Sequence, residues 1–219
     1  MEVLTAHGAV GLIGDDTSLM IGGFLGVGTP ESIITELIAQ KKKGLTVIAN
    51  DSAFPDKGIG RLISEQLVKK LIVSHIGTNP VTQKQMIEKS LEVELVPQGS
   101  LIEKIRAGGV GLGGILTPTG VGTVVEESKQ IIESEGQKYI LELPIKAKFA
   151  LIKAKKADYM GNLFYSLTAK NFNPLIALAA DIVIAEVEEI VPVGSMSPEE
   201  IHTPGILVDY VVVGGKKNG

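Results

Sequence analysis

A chain of 219 residues with a formal net charge of −4 and no cysteine excludes a disulfide framework, a thiolate metal site and a cysteine nucleophile. The acidic balance also lacks the basic stripe of a nucleic-acid binder. Hydrophobic residues make up 44% of the chain, but aromatics only 4% and Trp is absent, so aliphatic side chains must fill the core.

The N-terminus, Met1 to Asp16, has neither the basic start nor the long apolar run of a signal peptide. No apolar stretch approaches the ~18–20 residues of a membrane span. The expectation is a cytoplasmic protein with no membrane and no nucleic-acid partner. The length suits one domain, 1–219, with 214–219 as a frayed tail.

In chain order, Leu19-Met20-Ile21 reads as a strand ending in Gly22-Gly23-Phe24. A helix follows, with Thr29 as its cap, Pro30 in its first turn and Glu31 complementing its dipole; Ile33, Ile34, Leu37 and Ile38 form one face. The strand Leu45–Ala49 ends in Asn50-Asp51-Ser52, and the next helical face carries Leu62, Ile63, Leu67 and Val68. The strand Leu71–Val73 ends in Ser74–Asn79. The strand Val93–Val96 ends in Pro97-Gln98-Gly99, before a helical face of Leu101, Ile102 and Ile105. This alternation predicts an α/β protein with a mainly parallel, doubly wound sheet, whose ligands bind beyond the carboxyl ends of the strands.

The seven glycines of Gly108–Gly122 predict a long irregular loop. Val124–Ile132 reads as a helix, Lys138–Leu143 and Phe149–Ala154 as strands. A polar stretch, Asp158–Asn173, turns at Gly161-Asn162. Pro174–Ala180 reads as a buried helix, Ile182–Val187 and Ile206–Val213 as strands.

Among chemistry-bearing motifs, Gly22-Gly23-Phe24-Leu25-Gly26-Val27-Gly28 stands first, between a strand and a helix. Exposed N–H groups and the helix N-terminus there suit a phosphate or pyrophosphate; a turn packing helix on sheet is the rival reading. Gly109-Val-Gly111-Leu-Gly113-Gly114 fits a dinucleotide pattern but follows a helix rather than a strand, so its context fails. His75, at a strand end, has the position of an acid–base group or of an ordinary hydrogen-bonded residue. Asn50, Asp51, Asn79 and Gln98 supply polar groups on the same edge, and the Gln98 amide is placed to donate to a carboxylate or thioester oxygen or to serve its own turn. Glu126-Glu127 and Glu186, Glu188 and Glu189 read as solvated faces or dipole complements. Lys41–Lys43, Lys69–Lys70, Lys153/Lys155/Lys156 and Lys216–Lys217 read as solvated, with one group available to a nucleotide-like ligand's phosphates. No spacing argues for a metal. These residues alone leave open a sugar-phosphate isomerase-like enzyme, using His75, Asp51 and Asp56, and a nucleotide-binding regulatory module.

Asp15-Asp-Thr-Ser-Leu-Met-Ile-Gly-Gly-Phe-Leu-Gly-Val-Gly-Thr-Pro30 resembles the first signature of the family I coenzyme A transferases. Asp16 departs from it where the family has Gly or Asn, a variation of the turn. The resemblance continues through Ile48–Asp51, Ser74–Pro80, Val96–Gly99, Ile105–Gly109, Leu116–Thr123, Ala169–Pro174 and Thr203–Gly205, and is strongest to α subunits of acetate or acetoacetate CoA-transferases. It implies a three-layer α/β/α fold, an α₂β₂ or larger complex with a β subunit, and acyl-CoA and a short-chain carboxylate as substrates with no tightly bound cofactor. It implies ping-pong chemistry through a glutamyl-CoA thioester. That glutamate belongs to the β subunit; Glu135-Gly136, the nearest fragment here, has the wrong setting, so no catalytic nucleophile is assigned to this chain. The family's CoA-binding stretch falls on Gly22–Gly28, and Gln98 matches a glutamine expected near the reacting carboxylate.

Overall fold

The computed structural model describes residues 1–214. Its elements run β1 (Glu2–Leu4), α1 (Ala6–Gly11), β2 (Ser18–Ile21), α2 (Glu31–Ala39), β3 (Leu45–Ile48), α3 (Ile59–Ser64), β4 (Val68–Val73), α4 (Pro80–Ile87), β5 (Glu92–Leu95), α5 (Gln98–Val110), β6 (Ile115–Thr117), β7 (Ile131–Ser134), β8 (Gln137–Glu142), β9 (Ala147–Asp158), β10 (Leu163–Phe164), α6 (Asn173–Ile176), β11 (Ala180–Val191) and β12 (Tyr210–Val213). Of the tail expected to fray, 215–219 lies outside the described residues, Lys216–Lys217 included. Gly214 is buried and donates to Val187 O at 2.8 Å, extending the β11–β12 pairing.

The main sheet has the order β1-β12-β11-β9-β2-β3-β4-β5, all parallel, with β10 antiparallel on β9. Alternation along β2 builds two cores. Leu19 and Ile21 face Val10, Ile33, Ile34, Leu37 and Leu62, from α1, α2 and α3. Met20 faces the other side, toward Leu101, Ile105 and Ile176, from α5 and α6. The result is the expected three-layer α/β/α arrangement. From β2 the chain winds outward through β3, β4 and β5, then returns to place β9 on the other flank of β2. That reversal is the crevice where doubly wound sheets bind ligands, and the Gly22–Pro30 loop leaves β2 there. No helix among the described residues is long and apolar enough to cross a membrane.

Several elements differ from their sequence reading. Pro30, not Thr29, is the N-cap of α2, and neither caps it through a side chain. α3 ends at Ser64, so Leu67 and Val68 belong to the approach and start of β4. α5 runs on through Gly108 and Gly109 to Val110: a Cβ at Gly108 would lie 2.2 Å from Ile145 O, so glycine is used inside the helix for close packing. The predicted loop therefore shrinks, and β6 occupies part of it. Val124–Ile132 is not a helix. A single 3₁₀ turn at Val124–Glu126 gives way to β7, because Ile131 and Ile132 pair across the hairpin with Ile140 and Tyr139. β9 and β11 are 12 residues each, longer than predicted. α6 stops at Ile176, and Gly205–Leu207 is a 3₁₀ turn before β12. Asp16 adopts a φ of 54°, the left-handed region, which accounts for Gly or Asn at the matching family position and for Asp as a tolerable substitute.

The three-stranded sheet β6-β8-β7 is latched to α5 by a buried ionic cluster. Lys104 Nζ lies 3.0 Å from Glu142 Oε2, and Lys129 binds the other oxygen. Burial pushes the Glu142 carboxyl up, but the two ammonium groups outweigh it and hold the group below its ordinary 4.5. A depressed carboxylate contributes stability above its unfolded value and loses it as pH falls through the folded one. Glu142→Gln is therefore expected to lower stability by about 1–3 kcal/mol at neutral pH. Thermal unfolding of both forms between pH 7 and pH 3 is expected to show the gap closing in acid; a gap independent of pH would contradict this account.

Candidate functional site

The Gly22–Gly28 loop is a miniature hairpin. Phe24 and Val27 exchange both backbone hydrogen bonds at 2.9 Å, and the two residues between them, Leu25 and Gly26, have φ of 49° and 85°. Phe24 and Val27 remain exposed at the tip. The base is held by side chains from distant segments. Asn171 accepts from Gly23 N at 3.2 Å and donates to Val27 O at 2.9 Å. Asn173 donates to Gly28 O at 3.0 Å and accepts from Lys153 N at 3.2 Å. Asp51 accepts from Ala53 N at 2.7 Å and Leu25 N at 3.1 Å. Burial raises the Asp51 carboxyl from its ordinary value, against the opposing pull of those N–H bonds and the His75 charge.

The glycines serve this clamp. A Cβ at Gly22 would fall 1.7 Å from Asn173 Oδ1, and one at Gly28 2.6 Å from Ala169 O. Close backbone approach is thus real, but to the protein's own atoms. The expected cradle of free N–H groups is also corrected. Gly22 N donates to Leu151 O, and the N–H groups of Gly23, Phe24, Leu25 and Val27 all have acceptors within the chain. The N-terminus of α2 is already occupied by the buried carboxylate of Glu186, which accepts from Ser32 N (2.9 Å), Ile33 N (3.2 Å) and Ser32 Oγ and pairs with Lys153 Nζ at 2.9 Å. Of the two readings offered for Glu186, it is the dipole complement.

At the neighbouring strand ends, two predicted residues meet. Gln98, the first residue of α5, donates through Nε2 to Asn50 Oδ1 at 2.8 Å, and Ser74 Oγ donates to Asn50 O. Asn50 is buried and Gln98 exposed, so the pair presents a held amide to the sheet edge, with one Nε2 proton still free. His75 stands apart: it is exposed, packs against Gly77, and has no side-chain hydrogen bond among the described residues. Asn79 caps α4, accepting from Val81 N and Thr82 N, and donates to Ser52 O. Asn171 and Asn173 entered the sequence reading only as part of a resembling stretch; nothing local marks them as loop anchors.

Beside the hairpin, where β9 and β11 overhang α2, lies a cavity of about 1050 Å³. Among its cations, Lys153 is paired with Glu186 and Arg61 with Glu31, while Lys57 lies over the Phe54 ring. Lys155 has no ion-pair partner among the described residues. The second glycine pattern occupies the end of α5 and the turn after it, ending at the Gly111 left-handed cap, so the dinucleotide context is absent.

Comparison with known proteins agrees with this geometry. Residues 3–214 match the family described as Coenzyme A transferase. The chain is 52% identical over 212 residues, covering 97% of it and 96% of the relative, to the acetate CoA-transferase subunit alpha of Escherichia coli strain K12. It is 52% identical over 198 residues, 90% of it and 91% of the relative, to the acetoacetyl-CoA:acetate/butyrate CoA transferase alpha subunit of Clostridium acetobutylicum. An acyl-CoA transferase from Escherichia coli O157:H7, solved as a thioester complex with CoA, superposes with a TM-score of 0.86 at 26% identity over 97% of this chain; the chain spans 47% of that longer one. Glutaconate coenzyme A-transferase from Acidaminococcus fermentans, at 21% identity, covers 97% of this chain and 75% of its own with a TM-score of 0.84, a likeness of fold. Matched from end to end by α-type subunits and by the same three-layer fold, the chain belongs to the coenzyme A transferase family.

Proposed function

We propose that this chain is the CoA-positioning α-type subunit of a short-chain acyl-CoA:carboxylate CoA-transferase, working in the cytoplasm in an α₂β₂ or larger complex with a β-type partner. The observation that carries the reading is the shared sheet edge. The clamped Gly22–Gly28 hairpin and the Asn50–Gln98 amide pair lie on one crevice, and the buried carboxylates beside them are committed elsewhere. Asp51 holds the hairpin and Glu186 holds α2, so neither is free to attack a thioester. The substrates follow from the relatives: acyl-CoA as donor and acetate, butyrate or acetoacetate as carboxylate.

In this mechanism a partner glutamate attacks the acyl-CoA carbonyl. The C–S bond breaks, giving an acyl-glutamyl anhydride and CoA thiolate. The thiolate returns to the glutamyl carbonyl and releases the carboxylate, leaving a glutamyl-CoA thioester. A second carboxylate then takes the CoA by the reverse sequence. The free Gln98 proton is placed to stabilise oxyanions at the acyl carbonyl, and the exposed tip at Phe24 and Val27 packs on the CoA arm, whose binding helps drive the remote chemistry. No tightly bound cofactor takes part. The test is CoA transfer from acetoacetyl-CoA to acetate by this chain, by its partner and by the mixture. Transfer by the mixture only is expected; transfer by this chain alone would overturn the split site.

A further inference from the structure

A second cavity, of about 450 Å³, opens between the first turn of α5 and β6, beginning at Gly99, the residue after Gln98. Its size falls within the range of small-molecule sites. Three features of its lining need explanation. The 13-residue α5 has Pro97 as its N-cap, with no side-chain cap; its first intrahelical bond is Leu101 N to Pro97 O at 2.8 Å, so the N–H groups of Gly99 and Ser100 point out of the helix end unused. Ser100, 4% exposed, lines the cavity and its Oγ has no hydrogen-bond partner. A buried hydroxyl without a partner costs stability and calls for a reason. The opposite wall is Ile115 and Leu116, on an edge strand that pairs only with β8. The one acid in the lining, Glu103, is neutralised by Arg106 at 2.9 Å.

Free N–H groups, an unmet hydroxyl and the positive end of a helix dipole recognise a carboxylate. An aliphatic wall beside them recognises a short alkyl chain. We propose that this cavity is the subsite for the carboxylate substrate, with its carboxylate on the α5 N-terminus beside Gln98 and its chain along Ile115 and Leu116. Leu116 then sets the accepted chain length and Ser100 positions the carboxylate. This inference rests on the CoA-transferase reading above.

The experiment uses the assembled enzyme with its partner subunit and compares kcat/KM for acetate, propionate, butyrate and pentanoate. Leu116→Phe is expected to lower butyrate relative to acetate by about tenfold or more, and Leu116→Ala to raise pentanoate relative to acetate by a similar factor, since one methylene in an apolar pocket is worth about 10–200-fold. Ser100→Ala is expected to raise the KM for carboxylates about tenfold while leaving the KM for acyl-CoA and the thermal midpoint unchanged. Assembled variants with wild-type acid ratios, or a Ser100→Ala enzyme with wild-type carboxylate KM, would overturn the subsite. Failure of the wild-type complex to transfer CoA to any of the four acids would instead overturn the CoA-transferase reading itself.

Discussion

Replacing Glu186 by Ala is expected to cost about 3–5 kcal/mol, the range for breaking a buried ion pair from one side. For a chain of this length that corresponds to a fall of roughly 6–20 °C in Tm. Glu186 is 3% exposed and sits opposite Lys153 in the β9–β11 register. Its carboxylate takes two N–H groups from the first turn of α2, the Ser32 hydroxyl and the Lys153 ammonium. Alanine would leave all four unserved, at the positive end of a helix dipole. Lys153 retains some solvent access, which places the loss toward the lower end of the range. Glu186→Gln keeps an acceptor but loses the charge and turns an amide N–H₂ toward donors, so an intermediate loss is expected. A thermal midpoint within 2 °C of wild type for Glu186→Ala, against the ~6 °C minimum, would show that α2 does not depend on this carboxylate.

Gly22→Ala is expected to lower kcat/KM for acyl-CoA by about 100-fold or more, a loss in proportion to a displacement of roughly 1 Å at a reacting group. The added methyl would stand 1.7 Å from Asn173 Oδ1, so one of the two must move. Asn173 is fully buried and holds Gly28 O, Ala169 O and Lys153 N at once. Moving it releases the base of the hairpin and the helix that begins with it. Gly26 is the contrasting position: a Cβ there meets only the Lys57 side chain, at 3.4 Å. Gly26→Ala is expected to cost mainly the backbone strain of its φ of 85°, about 1 kcal/mol, with a smaller kinetic effect. Steady-state kinetics of the two assembled variants checks the order. A Gly22→Ala enzyme with wild-type kcat/KM would mean that the clamp does not position the loop.

The layered fold was legible wherever one periodicity ran cleanly into another. Leu19, Met20 and Ile21 alternate between two cores, and Ile33, Ile34 and Leu37 recur at helical spacing, so β2 and α2 could be read from the residues alone. The segment Val124–Ser134 was not legible, because its isoleucines gain their strand partners only from β8. The position of the site was legible from its strand-end loops, but its wiring was not. Glu186 reads as one member of an acidic surface run with Glu188 and Glu189; its partners Ser32 and Ile33 lie 154 and 153 residues away. Asn171 reaches Gly23 across 148 residues. Each of Asn50 and Gln98 could be singled out, whereas their hydrogen bond depends on β3 and the start of α5 being brought to one edge. The glycine loop shows the limit most clearly. Its sequence announces close backbone approach, and only the fold reveals that the approaching atoms are Asn173 and Ala169.

The claim that this chain positions CoA while another chain reacts with it is tested most directly by locating the covalent intermediate. The assembled enzyme is incubated with acetoacetyl-CoA and no acceptor, and the intact masses of both chains are measured. The account predicts that the partner gains the mass of CoA less one water and that this chain keeps its own mass. A CoA adduct on this chain would contradict it.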